Sequence, residues 1–208
     1  MKRALKLLGI AAGLAACGGL PVGNRLFSSE AELLDIQTVL QHDIHARGSA
    51  TLVRLQPDAV QKACNLSGNE PPEAVRKALE AEQMAAIRFP AGGLLGDWKR
   101  GERIAQNGRG LQWNDGPKDV AGGSCYNCHE LAPQEASYGT LGPSLRGFGR
   151  LRGNTSEVQR YAYGRIYNSK AYNLCSQMPR LGHSGTLSAE QIKDLVAYLV
   201  DPESPVNK

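Results

Sequence analysis

Cys125-Tyr126-Asn127-Cys128-His129 puts two thiols three positions apart and an imidazole directly after the second. Each thiol can add to one of the two vinyl groups on a single porphyrin edge. The histidine that follows is then held under the iron, where a ring nitrogen is an axial ligand. The run is the C-x-x-C-H attachment signature of a c-type haem. Two other uses of a C-x-x-C compete with it. Structural zinc takes four ligands, and the chain has no second C-x-x-C and no H-x-x-x-H. A thioredoxin-like dithiol wants a strand before it in a βαβ setting, whereas residues 117–124 are rich in Gly, Lys and Asp. The motif therefore predicts one covalent haem c on Cys125 and Cys128, with His129 on the iron.

The second axial position decides what such an iron can do. Left open, it admits oxygen or peroxide chemistry; filled by a side chain, it suits outer-sphere electron transfer. Beyond the initiator the methionines are Met84 and Met178. Met178-Pro179 falls in the same region as the motif, and its thioether is a soft, neutral ligand that favours Fe(II). Met84 lies outside that region and reads as core. His183 is the rival ligand, and otherwise a polar loop residue. Arg146, Arg150 and Arg180 are near the motif in sequence; one can pair with a haem propionate, and each can equally be an exposed charge. No nucleophile–base pair stands out, so the chain alone is not expected to be catalytic.

The amino terminus reads as an export signal over residues 1–16. Lys2, Arg3 and Lys6 are followed by a short apolar run, Leu7 to Ala16, too short to span a bilayer. Leu14-Ala15-Ala16-Cys17 looks like the lipobox of bacterial lipoproteins, which implies lipidation of Cys17 and an anchored, periplasmic protein. An ordinary cleaved signal is the alternative. Three of the four net positive charges belong to this segment, so the basic balance is no argument for a nucleic-acid partner. Of the five cysteines, Cys64 and Cys175 remain after the haem and lipid positions. In an oxidising compartment they are candidates for a disulfide, and otherwise buried thiols.

The elements that must position these groups are helical. Ser29-x-x-Glu32 suggests a capping box before a helix with Leu33, Ile36, Leu40 and Ile44 on one face. Pro57 suits a helix N1 position ahead of Val60, Ala63 and Cys64. Glu73 to Ile87 predicts a helix with Val75, Leu79 and Ile87 inward. Residues 17–95 thus form a helical extension without a chemical motif; His42 and His45, three apart, lack an evident third ligand. From residue 96 onward the spacing predicts a helix over 97–107 with Ile104 and Ala105 inward. A long irregular stretch over 131–154 follows, then a helix capped by Thr155 or Ser156. The last helix is capped by Ser188 and striped with Ile192, Leu195, Val196 and Leu199.

A helix, the C-x-x-C-H, loops and a closing helix resemble the class I cytochrome c fold. The resemblance implies an all-α domain over 96–208 whose first and last helices cross, with Gly101 and Ile104 meeting Leu195 and Tyr198. It also implies Met178-Pro179 as the distal ligand and Gly142-Pro143 as the dipeptide whose Pro143 carbonyl takes the hydrogen bond of His129. Three segments carry a closer resemblance: Gly123 to His129, Gly139 to Leu145, and Arg165 to His183 with its Tyr-Asn-x-x-Ala-Tyr-Asn run before Cys-x-x-Met-Pro. With the tail from Leu195 to Val206 they are similar to SoxX, the small cytochrome subunit of SoxAX complexes in bacterial thiosulfate oxidation. That resemblance implies a heterodimer with a SoxA-type haem subunit. The pair would couple thiosulfate oxidatively to a cysteine of a sulfur-carrier protein, as an L-cysteine S-thiosulfotransferase does, and this chain would pass electrons to a soluble acceptor. A free periplasmic monohaem shuttle is the alternative. Tyr167 and Tyr172, with Asn168 and Asn173, are candidates for a docking face or for packing over the haem.

Overall fold

The computed structural model describes residues 30–208, apart from Leu111 and Pro117. The signal segment, Cys17 and Ser29 lie outside the described residues. Those residues form seven α-helices, and the one β feature among them is an isolated bridge between Arg47 and Ala50. The helices are α1 (Glu30–Asp43), α2 (Ala59–Leu66), α3 (Glu73–Ala85), α4 (Trp98–Gln106), α5 (Phe148–Arg152), α6 (Ser156–Tyr167) and α7 (Ala189–Val200). The fold is all-α and cytochrome c-like, with α1 to α3 preceding that domain.

The crossing of α4 and α7 is the most extensive helix contact. A Cβ at Gly101 would fall 2.1 Å from the backbone oxygen of Asp194 and 2.8 Å from Cβ of Tyr198. Only glycine lets the two backbones approach that closely. Asp194, buried on α7, accepts the Asp97 N–H at 2.7 Å and two bonds from the Arg100 guanidinium at 2.8 and 2.9 Å. These bonds set where α4 starts against α7. Ile104, Ala105, Ile192, Leu195, Val196 and Tyr198 fill the crossing, each large apolar side chain contributing about 1.5–3 kcal/mol. Ser188 and Gln191 close a capping box on α7, with Gln191 N–H to Ser188 Oγ at 3.2 Å and Ser188 N–H to Gln191 Oε1 at 3.0 Å.

The extension departs from its expected pattern in several places. Pro57 falls two residues before the N1 position: Asp58 is the N-cap of α2, accepting the Gln61 N–H at 2.8 Å. On α3 Val75 is 42% exposed while Gln83 is buried. Gln83 finds enough hydrogen-bond partners inside to offset its polarity, which a pattern of apolar residues does not register. Met84, read as core, is 39% exposed, and Ile44 is 40% exposed. In the stretch read as irregular, Gly147 at φ 69° turns the chain into α5.

Candidate haem site

The segment before the motif is laid along the end of α4. Gly123 N–H donates to Ile104 O at 2.8 Å and Ser124 N–H to Asn107 O at 3.0 Å. Two carbonyls left over at the helix end are thereby satisfied. A Cβ at Gly122 would lie 1.9 Å from Asn107 O, so the approach requires glycine. Ser124 then takes a left-handed backbone, φ 46°, and Cys125–Asn127 form one 3₁₀ turn. The Cys128 and His129 N–H groups both return to Cys125 O, at 3.1 and 2.9 Å. One turn thus gathers both thiols and the imidazole.

His129 is fixed from behind. Its Nδ1 is 2.7 Å from Pro143 O, so Nδ1 carries the proton and Nε2 keeps its lone pair for a metal. Gly142 N–H is bonded to Cys128 O at 2.8 Å. A Cβ at Gly142 would stand 2.2 Å from His129 Cε1, so the ring lies directly on the glycine backbone.

Met178 lies across the site, half-buried. Ser169 Oγ donates to its carbonyl at 2.6 Å and its N–H donates to Ser176 Oγ at 3.2 Å. His129, Pro143, Leu145, Phe148, Met178 and Leu199 line one cavity of about 150 Å³. His183 does not line it. Met84 lies on α3 and does not reach it. His42 and His45 do not acquire a third ligand, since the described residues hold no group of three or more metal-ligating side chains. A larger cleft of about 620 Å³, lined by Arg100, Ile104, Val120 and Asp194, holds none of the candidate haem residues.

The cavity's cations differ from those the sequence singles out. Arg146 reaches toward Glu130 at 3.8 Å, and Arg180 is paired with Asp58. Arg152 and Arg165 line the cavity instead. They lie against aromatic rings, Arg152 5.5 Å from the Phe148 centroid and Arg165 5.6 Å from that of Tyr172. Neither forms an ion pair among the described residues. Arg152 was hidden because α5 has no periodic signature in so short a run.

Tyr167 and Tyr172 pack inward rather than forming an open face. Tyr167 stacks on buried Tyr163 at 6.0 Å, and Tyr172 meets Tyr161 edge-on at 5.4 Å. Asn168 is buried and Asn173 exposed. Cys64 and Cys175 are joined by a disulfide, tying α2 to the chain three residues before Met178.

The donor set fits haem c. Two cysteines at the vinyl spacing precede an imidazole with a free nitrogen. A thioether shares the cavity, Leu145, Phe148, Ile166 and Leu199 give it apolar walls beside the polar groups, and two guanidiniums without carboxylate partners match the two propionates. A dithiol redox site fits less well, since that chemistry needs a lowered thiol pKa. Here burial pushes the unattached Cys125 thiol up to about 12.

Residues 99–201 match the cytochrome c family model. An uncharacterized lipoprotein of Aquifex aeolicus (strain VF5) is 41% identical over 154 residues, 73% of this chain and 73% of that protein. The crystal structure of SoxXA from P. pantotrophus is similar at 26% identity and a TM-score of 0.40, over 57% of this chain and 90% of that chain. With the C-x-x-C-H turn and the α4–α7 crossing, residues 99–201 form a domain of the cytochrome c family.

Proposed function

We propose that the chain is a monohaem c-type cytochrome that serves as the electron-accepting subunit of a SoxAX-type complex. The observation that carries the electron-transfer part is the shared cavity: His129 and Met178 both line it. Cys125 and Cys128 would hold the haem covalently, and His129 and Met178 would supply the nitrogen and sulfur ligands to its iron. When bound, haem c supplies a one-electron Fe(III)/Fe(II) couple. The chain's residues determine how that couple behaves. Pro143 O orients and strengthens His129 as a donor. The Met178 thioether favours the reduced state. Leu145, Phe148 and Leu199 exclude water, and Arg152 and Arg165 neutralise the propionates. An iron ligated by both His129 and Met178 would leave no place for substrate, so the sulfur chemistry would belong to a partner.

The SoxAX assignment is supported by the resemblance of the three segments and the tail. By that reading a SoxA-type haem subunit and a sulfur-carrier protein carry out the coupling of thiosulfate to cysteine, and this chain hands the electrons to a soluble acceptor. The name of the Aquifex relative, a lipoprotein, supports a lipid on Cys17 and a periplasmic, membrane-tethered location. The test mixes purified holoprotein with a SoxA-type subunit, carrier protein and thiosulfate while haem reduction is followed. Reduction only in the full mixture supports the reading. Reduction by thiosulfate alone overturns it, and no reduction in the full mixture favours a free electron shuttle.

A further inference from the structure

The helices before residue 90 contribute no wall to the haem cavity, yet their polar contacts concentrate on the segment that carries Met178. Arg180, two residues beyond Met178, has a side chain only 15% exposed and is ion-paired with Asp58 at the start of α2. Its second nitrogen donates to Gln83 Oε1 at 3.2 Å. The same Gln83 oxygen accepts from Asn168 Nδ2 at 3.1 Å, and the Gln83 carbonyl lies 3.2 Å from that donor. Asn168 precedes Ser169, which holds the Met178 carbonyl. The two arms of the loop, at 168–169 and at 180, therefore converge on one buried glutamine of α3. The Cys64–Cys175 disulfide ties the loop's middle to α2.

We propose that Asp58 and Gln83 are positioning residues that hold the Met178 loop against the haem cavity, acting through Arg180 and Asn168. This rests on Met178 being an axial ligand. For its sulfur to leave the iron the loop must move, and moving it breaks the bonds that meet at Gln83 and Arg180. The extension thereby sets how often the iron is open. An external ligand that binds only the open form has an apparent affinity scaled by the open fraction.

Imidazole is the probe, titrated into full-length ferric holoprotein. Asp58→Asn keeps the α2 cap, because asparagine caps as well as aspartate, but removes the charge facing Arg180. Gln83→Leu removes the shared acceptor, whereas Gln83→Glu retains it. Asp58→Asn and Gln83→Leu are each expected to tighten imidazole binding about tenfold, which corresponds to about 1.4 kcal/mol. Gln83→Glu should stay near wild type. Ser188→Ala, which uncaps α7 away from the loop, should lower thermal stability without changing the affinity. Wild-type affinity in Asp58→Asn and Gln83→Leu overturns the proposal, as does equal tightening in Ser188→Ala. If Gln83→Leu does not fold, Asp58→Asn decides alone. Met178→Ala separates the two claims. Tight imidazole binding there, with wild-type binding in the clamp variants, refutes the clamp only. No change in Met178→Ala refutes axial ligation and the clamp with it.

Discussion

Gly142→Ala should disturb the haem site through a single methyl group. The new Cβ would sit 2.2 Å from His129 Cε1 and 2.5 Å from Nδ1, where ordinary contacts begin at 3.4 Å. The ring must retreat by more than an ångström, and it cannot do so while Nδ1 stays 2.7 Å from Pro143 O. Overpacking of this kind costs about 1–3 kcal/mol, and the lost hydrogen bond about 0.5–1.5 kcal/mol more. The sum, about 1.5–4.5 kcal/mol, lowers the melting temperature by roughly 3–18 °C for a chain of this size. The midpoint potential should rise, because an imidazole without its acceptor is a weaker donor and stabilises Fe(III) less. Gly93→Ala is the matched control, since nothing lies within 4 Å of its Cβ. Differential scanning calorimetry and a redox titration of both variants make the comparison. If Gly142→Ala melts and titrates like Gly93→Ala, the imidazole is not seated as described.

Three further outcomes follow from the same structure. Replacing Cys64 and Cys175 by serine opens a loop spanning 111 residues, and should cost at most about 4–5 kcal/mol in guanidinium unfolding. Gly101→Ala meets backbone at 2.1 Å and should cost about 3 kcal/mol, the upper range for overpacking; a melt equal to wild type would contradict the α4–α7 crossing. Burial alone would raise the Asp58 carboxyl, but the Gln61 N–H and the Arg180 guanidinium outweigh it and hold it below its ordinary value of 3.8. The stability it contributes is therefore complete above about pH 4 and lost as pH falls through the lower, folded value. Acid unfolding of Asp58→Asn should accordingly be flatter than wild type below pH 4.

What the sequence made legible was what local chemistry dictates. The C-x-x-C-H turn depends on five adjacent residues, and the caps at Thr155 and Ser188 are side chains bonding amides three positions on. The final helix is apolar because Leu195 to Val200 are all buried, packed among α4, α5 and α6. The misread positions depend on distant partners. Gln83 is inside because Asn168 and Arg180 meet it there, and Val75 on the same helix faces out. Arg180 is a candidate for the propionates from its place near the haem motif in sequence, but Asp58, far upstream, claims it. Arg152 and Arg165 reach the cavity through the tertiary placement of α5 and α6, which carries no mark in the order of residues.

The most direct test of the account is the sulfur-to-iron charge-transfer band of the ferric holoprotein, recorded for wild type, Met178→Ala and Met84→Ala. Ligation by Met178 predicts the band in wild type and in Met84→Ala, and its loss in Met178→Ala. A band that survives Met178→Ala, or disappears in Met84→Ala, would contradict it.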